Sequence, residues 1–119
     1  MFSWGVQMNA SMRTRCPVNV PFADAEAAWF WTMAVVVARR DGAAVGWRPP
    51  EPDRPCDPED VLLAVDALYR CGSITLAHAR VMAAGGERQV PPAMLRERRL
   101  WYQAMGLLGW RLRQSGIVA

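Results

Sequence analysis

One histidine and three cysteines are the chain's supply of imidazole and thiol side chains, the groups that ionise nearest neutral pH. His78 follows Cys71 by seven residues, across the glycine turn of "YRCGSITLAH". A thiol–imidazole pair there would begin a nucleophilic site. Cys71, however, ends a predicted helix, where the dipole disfavours a thiolate; activated thiols sit at helix starts. A hydrolytic triad also needs an orienting group and an oxyanion site, and no motif supplies either. The carboxylates of "DPED" (57–60) are accounted for by helix capping. The expectation is a non-enzyme with no catalytic residue. Cys16, Cys56, Cys71 and His78 lack the short two-cysteine knuckle of zinc sites, so neither a metal site nor a cofactor is expected. "AGGERQVPP" has no phosphate-binding glycine spacing and no strand before it, and reads as a turn between helices.

The arginines offer a different chemistry. All fourteen basic side chains are Arg, whose planar fork suits phosphates and stacks on aromatic rings. A GC-rich coding sequence is the ordinary source of such a bias, so position carries the information rather than number. From Ile74 onward there are seven Arg against Glu87 and Glu97, a balance of +5; Met1 to Ser73 balance at −2. Arg96, Arg98 and Arg99, with Arg88, Arg111 and Arg113, lie near Trp101 and Tyr102. Arg96 and Arg99 share a helical face at three-residue spacing. Arginine beside aromatic rings is the chemistry that grips phosphates and stacks on bases. The plainer reading is a solvated face with Glu97 balancing it.

"ALYRCGSITLAHARVMA" (67–83) reads as helix, glycine turn, helix. A DNA-reading helix-turn-helix would use Gly72 in the turn and present Thr75, His78 and Arg80 from the second helix. Leu68 stands where that motif carries a small residue and His78 where it buries an apolar one. The second helix is short, alanine-rich and armed with one arginine. These departures favour a structural corner between core helices.

These residues depend on a helical frame that the spacing predicts in four pieces. Asp24 caps a helix ending at Arg39–Arg40 and Gly42, with Trp29, Phe30, Met33, Val36 and Val37 as its apolar face. Asp57 and Pro58 open a second, with Val61, Leu62, Val65, Leu68 and Tyr69 inward. Thr75 caps a third, ending at Gly85–Gly86, with Leu76, Ala79, Val81 and Met82 buried. The last runs from near Pro91–Pro92 to Gly116 on a stripe of Met94, Trp101, Met105, Leu108 and Leu112. Arg98 falls on that stripe, so the first turns should leave the core there. Gly106 and Gly109 mark a kink or a close helix approach. The fold class is therefore all-α, a small bundle of four main helices with a helix-turn-helix-like corner. Residues 1–20 form an irregular arm, and 21–119 form one domain interrupted by a proline-rich linker at 42–56, pinned to the body by Trp47.

The longest apolar run, Ala27 to Ala38, spans about 18 Å as a helix, well short of the ~30 Å hydrocarbon layer. Its flanking charges reverse those of a secretory signal. Three scattered cysteines make no disulfide framework, which points to a reduced cytoplasm. Of the six tryptophans, Trp31 and Trp110 fit the core stripes least well. Exposed, they would mark a partner surface or dimer seam.

"PVNVPFADAEAAWFWTMA", "RPCDPEDVLLAVDALYR", "ITLAHARVMAAGGERQ" and "LRQSGIV" resemble a family of small uncharacterised alphaproteobacterial proteins, over residues 12–119. The resemblance implies a compact domain and brings no activity. It implies relatives with a more basic stretch where "RCGSI" stands and Trp where this chain has Gly85, so that this copy suits phosphate contact less than its kin. It also favours a start at Met12, with the first eleven residues as upstream reading frame. The residues themselves leave two expectations. One is a small regulator binding nucleic acid, duplex DNA in the first instance, through the basic final third: Thr75, His78, Arg80, Arg88, Arg96 and Arg99. The other is a protein-interaction module or homodimer using Trp31 and Trp110.

Overall fold

The chain enters its first helix at Asp24, whose carboxylate accepts the Ala27 N–H at 2.8 Å and so satisfies one of the amide groups left open at a helix start. A computed structural model describes residues 19–44, 47 and 53–119. Among them are four α-helices and no strand: α1 (Ala25–Arg40), α2 (Pro58–Arg70), α3 (Leu76–Arg88) and α4 (Leu95–Gln114). The expected arm falls largely outside the described residues, as do the Met12 start, Cys16 and the middle of the proline linker. Trp47, the linker residue expected to pin the loop, is 40% exposed.

α1 is the hub. It packs against α2, α3 and α4, while α2 and α3 each rest on α1 and α4. A helix enclosed on several sides is apolar on several sides, so no single stripe describes it. This is why its predicted face is only half right. Ala28, Trp29, Trp31, Thr32 and Val35 are buried, whereas Phe30, Met33, Val36 and Val37 are partly covered. Trp31 packs on Phe22 with ring centroids 5.2 Å apart. Thr32, the one buried polar residue described, donates its hydroxyl to the Ala28 carbonyl.

α2 opens as expected, with the Asp57 N–H donating to the Asp60 carboxylate at 2.8 Å and Pro58 as first helical residue. Its core face is Val61, Ala64 and Leu68; Tyr69, expected inside, is exposed. Gly72, at φ +81°, supplies the left-handed turn that an L side chain resists. The turn drops Ile74 into the core, where it is almost fully buried. Leu76, just past the cap, points to solvent rather than inward.

α3 does not stop at Gly85–Gly86. It runs on to Arg88 and ends at Gln89, whose left-handed backbone is held by its side-chain amide donating to the Phe30 and Gly86 carbonyls. The glycines serve packing instead. A Cβ on Gly85 would stand 2.5 Å from the Trp101 ring, and one on Gly86 would stand 2.5 Å from Met33 and 2.8 Å from Trp29. α3 crosses its neighbours at a distance that excludes even a methyl group.

α4 buries Trp101, Met105, Leu108 and Leu112 as its stripe predicts, and leaves everything from Ala93 to Arg99 exposed. Its first turns overhang the body, as Arg98 on the stripe foretold. Met94, counted on that stripe, is 70% exposed for the same reason. Gly109 is the close approach, 3.4 Å from the Ala25 methyl to a Cβ placed there; Gly106 faces open space. The tail closes on the entry to α1: Phe22 N–H donates to the Ile117 carbonyl and Ala119 N–H to the Phe22 carbonyl, each at 2.9 Å. Two buried indoles have their N–H groups satisfied, Trp29 by the Met82 carbonyl and Trp101 by the Glu26 carboxylate.

Candidate nucleic-acid interface

The corner between α2 and α3 exists, but the two helices pack on α1 and α4 rather than firmly on each other. A reading motif needs that mutual packing to hold its second helix at a fixed angle. Thr75 and His78 are already committed. The Thr75 N–H donates to His78 Nδ1 at 3.0 Å, and the Thr75 hydroxyl accepts the His78 N–H. An amide can only donate, so Nδ1 accepts and the ring proton sits on Nε2, which donates to Gln103 Oε1 at 2.9 Å. Both ring nitrogens are spent on a helix cap and a tie to α4. In this arrangement Thr75 and His78, both expected to contact bases, position α3 against α4.

The charges sort themselves by region. Arg39 pairs with Glu59, Arg40 with Glu87 and Asp41, and Arg70 with Asp66. Arg54 stacks over the Phe22 ring at 4.2 Å and donates to the Val20 carbonyl. Asp24 and Asp60 are taken by caps, and Glu26 by Trp101. By contrast, Arg80, Arg88, Arg96, Arg98, Arg99 and Arg111 are exposed and have no carboxylate partner among the described residues.

Five of these guanidinium groups form two patches, and Arg111 stands apart from both in a groove with Cys56 and Asp60. Arg80 and Arg88, two turns apart on α3, line a groove of about 150 Å³ whose far wall includes Glu97. Arg98 and Arg99 flank Tyr102, Gln103 and Leu95 on α4. Arg96 is exposed three residues before Arg99 and extends that second patch. Gln103 borders it and, through His78, fixes where α3 begins beside it.

The two tryptophans separate. Trp31 is 7% exposed beneath Phe22, so its expected place on a partner surface is corrected. Trp110 is 62% exposed, one face of a stretch that includes Tyr102 (54%) and Leu107 (37%) with Gly106 between. Sequence reasoning missed Gln103 altogether, because its bond to His78 joins residues on different helices. It also missed the openness at Gly106, which nothing in the local sequence distinguishes from Gly109.

The cysteines are unlike each other. The Cys71 thiol lies 3.1 Å from the Ser73 hydroxyl, which holds its pKa below the ordinary thiol value. Its partner is Ser73 and not His78, so the thiol–imidazole pair is not formed. Cys56 is pushed up to about 11, first by burial and then by Asp60 and Asp57. Alkylation by iodoacetamide at pH 8, mapped by peptide mass spectrometry, should therefore label Cys71 at least ~10-fold faster than Cys56. Equal rates would contradict both environments. Among the described residues no three His, Cys, Asp or Glu side chains converge on a metal-sized site, and no helix is long and apolar enough to cross a membrane.

Comparison with known proteins found no matching family model, curated protein or solved structure.

Proposed function

We propose that this chain is a small regulator that binds nucleic acid, holding its phosphates with the arginines of α3 and α4. One observation carries the reading: most of the described acids are engaged in caps, pairs and an indole bond, Glu97 beside the α3 groove being an exception, while six exposed arginines of the last two helices have no carboxylate partner among the described residues. Unpaired, solvated guanidinium groups release condensed counterions when they meet phosphates, and that release drives association. Binding of this kind needs no recognition helix. It fits a corner whose Thr75 and His78 are occupied, with Arg80, Arg88, Arg96 and Arg99 as the contacting residues.

The test is anisotropy of a labelled DNA duplex across a salt series. Affinity should fall steeply between 50 and 200 mM salt, and the Arg96→Ala/Arg99→Ala double variant should bind about tenfold more weakly with a salt slope shallower by about two. No binding at low salt removes the proposal. A second reading, an interaction module or homodimer, is favoured by the exposed Trp110. It expects a concentration-dependent dimer in sedimentation.

A further inference from the structure

We infer that the outer face of α4 takes a single strand of nucleic acid, with unpaired bases stacking on Tyr102 and Trp110. The inference rests on the phosphate-binding reading and names its substrate class. Tyr102 and Trp110 are exposed side chains eight residues apart on one helix, about 12 Å along its axis. Between them lies Gly106, and no atom comes within 4 Å of where its Cβ would be. The path from one ring to the other is open. Arg98 and Arg99 stand one turn before Tyr102 with no carboxylate partner, placing cations where a strand's phosphates would run.

A duplex satisfies only half of this arrangement. Its phosphates can reach the arginines, but its bases are closed within the stack and offer the two rings no π-face. An unpaired strand offers both at once, and base–aromatic stacking tolerates any sequence. A second copy of the chain satisfies the other half. Crossing antiparallel at Gly106, it would lay Tyr102 beside Trp110 but also set Arg99 against Arg113; crossing parallel, it would set each arginine against itself. Like charges across a seam are repulsive, whereas a polyanion complements them. Arg113 is tied by its Nε to the Ala119 carbonyl and cannot easily swing clear.

The experiment uses the full chain with a 12-nucleotide oligothymidine and the duplex of the same length, each measured by anisotropy and by quenching of intrinsic tryptophan emission at 50 mM salt. The oligothymidine should bind at least ~5-fold more tightly than the duplex and quench emission. Trp110→Leu and Tyr102→Leu should each weaken oligothymidine binding about tenfold, leave duplex binding within about twofold, and keep the wild-type helical signal and melting midpoint. Trp110→Leu should also abolish the quench, and Tyr102→Phe should retain binding. Equal affinity for both forms, with leucine variants unchanged, overturns the single-strand inference and leaves phosphate binding standing. No binding of either form overturns both. A dimer that Trp110→Leu dissolves, with oligothymidine binding unaltered, assigns the face to a second copy and overturns the inference.

Discussion

Trp101→Ala should destabilise the protein by about 4 kcal/mol, near the upper range for truncating a buried aromatic. The indole is fully buried and stacks on Phe30 with centroids 5.6 Å apart. Its ring also fills the space that Gly85 leaves empty, and its N–H satisfies Glu26 at 2.9 Å. Removal empties a ring-sized volume among α1, α3 and α4 and strips a half-buried carboxylate of its donor. Against a total stability of 5–15 kcal/mol, typical of domains this size, that is a large fraction. The melting midpoint should drop by roughly 20 °C. Urea unfolding followed by circular dichroism measures it directly; a loss under about 1.5 kcal/mol would mean the ring is not packed as described.

Gly85→Val comes next, at about 3 kcal/mol of destabilisation. Helix propensity alone predicts the opposite, since glycine inside a helix is the poorest ordinary choice. The added Cβ, however, would stand 2.5 Å from the Trp101 ring and 3.0 Å from the Val90 carbonyl. A rigid ring and a backbone atom cannot give way cheaply. Gly106→Ala isolates the propensity term, because nothing stands near that position; it should stabilise by up to about 1 kcal/mol. Opposite signs at two helical glycines, read from urea midpoints at unchanged m-value, would establish that α3 packs through its glycines.

What could be read from the chain follows from the range of each interaction. Caps act within one turn, so Asp24, Asp57 with Pro58, and Thr75 announced three helix starts. α4 meets its three neighbours along one narrow stripe, so its seven-residue spacing tells which residues it buries and that Arg98 lifts its first turns away. α1 defeated the same reasoning because it has neighbours on several sides, and Trp31 went from expected surface to core. Gly85–Gly86 reads as a stop because a terminator and a close crossing use the same residue type. The sorting of the arginines was beyond sequence reasoning for a simpler cause. Arg40 finds Glu87 across 47 positions, and only such distant pairings reveal which cations remain unneutralised. The split into a groove on α3 and a face on α4 depends on the same long-range placement.

The central place of α1 has one more consequence. Each of the other three helices leans on it, so none can detach without exposing part of that shared apolar hub. The bundle has no separable subunit of stability and should melt as one cooperative block. Backbone amides at the middle of α1 then exchange with solvent only when the whole molecule opens, while the overhanging first turns of α4 exchange freely from the native state. An enclosed hub and an exposed, arginine-bearing overhang thus coexist in one small fold.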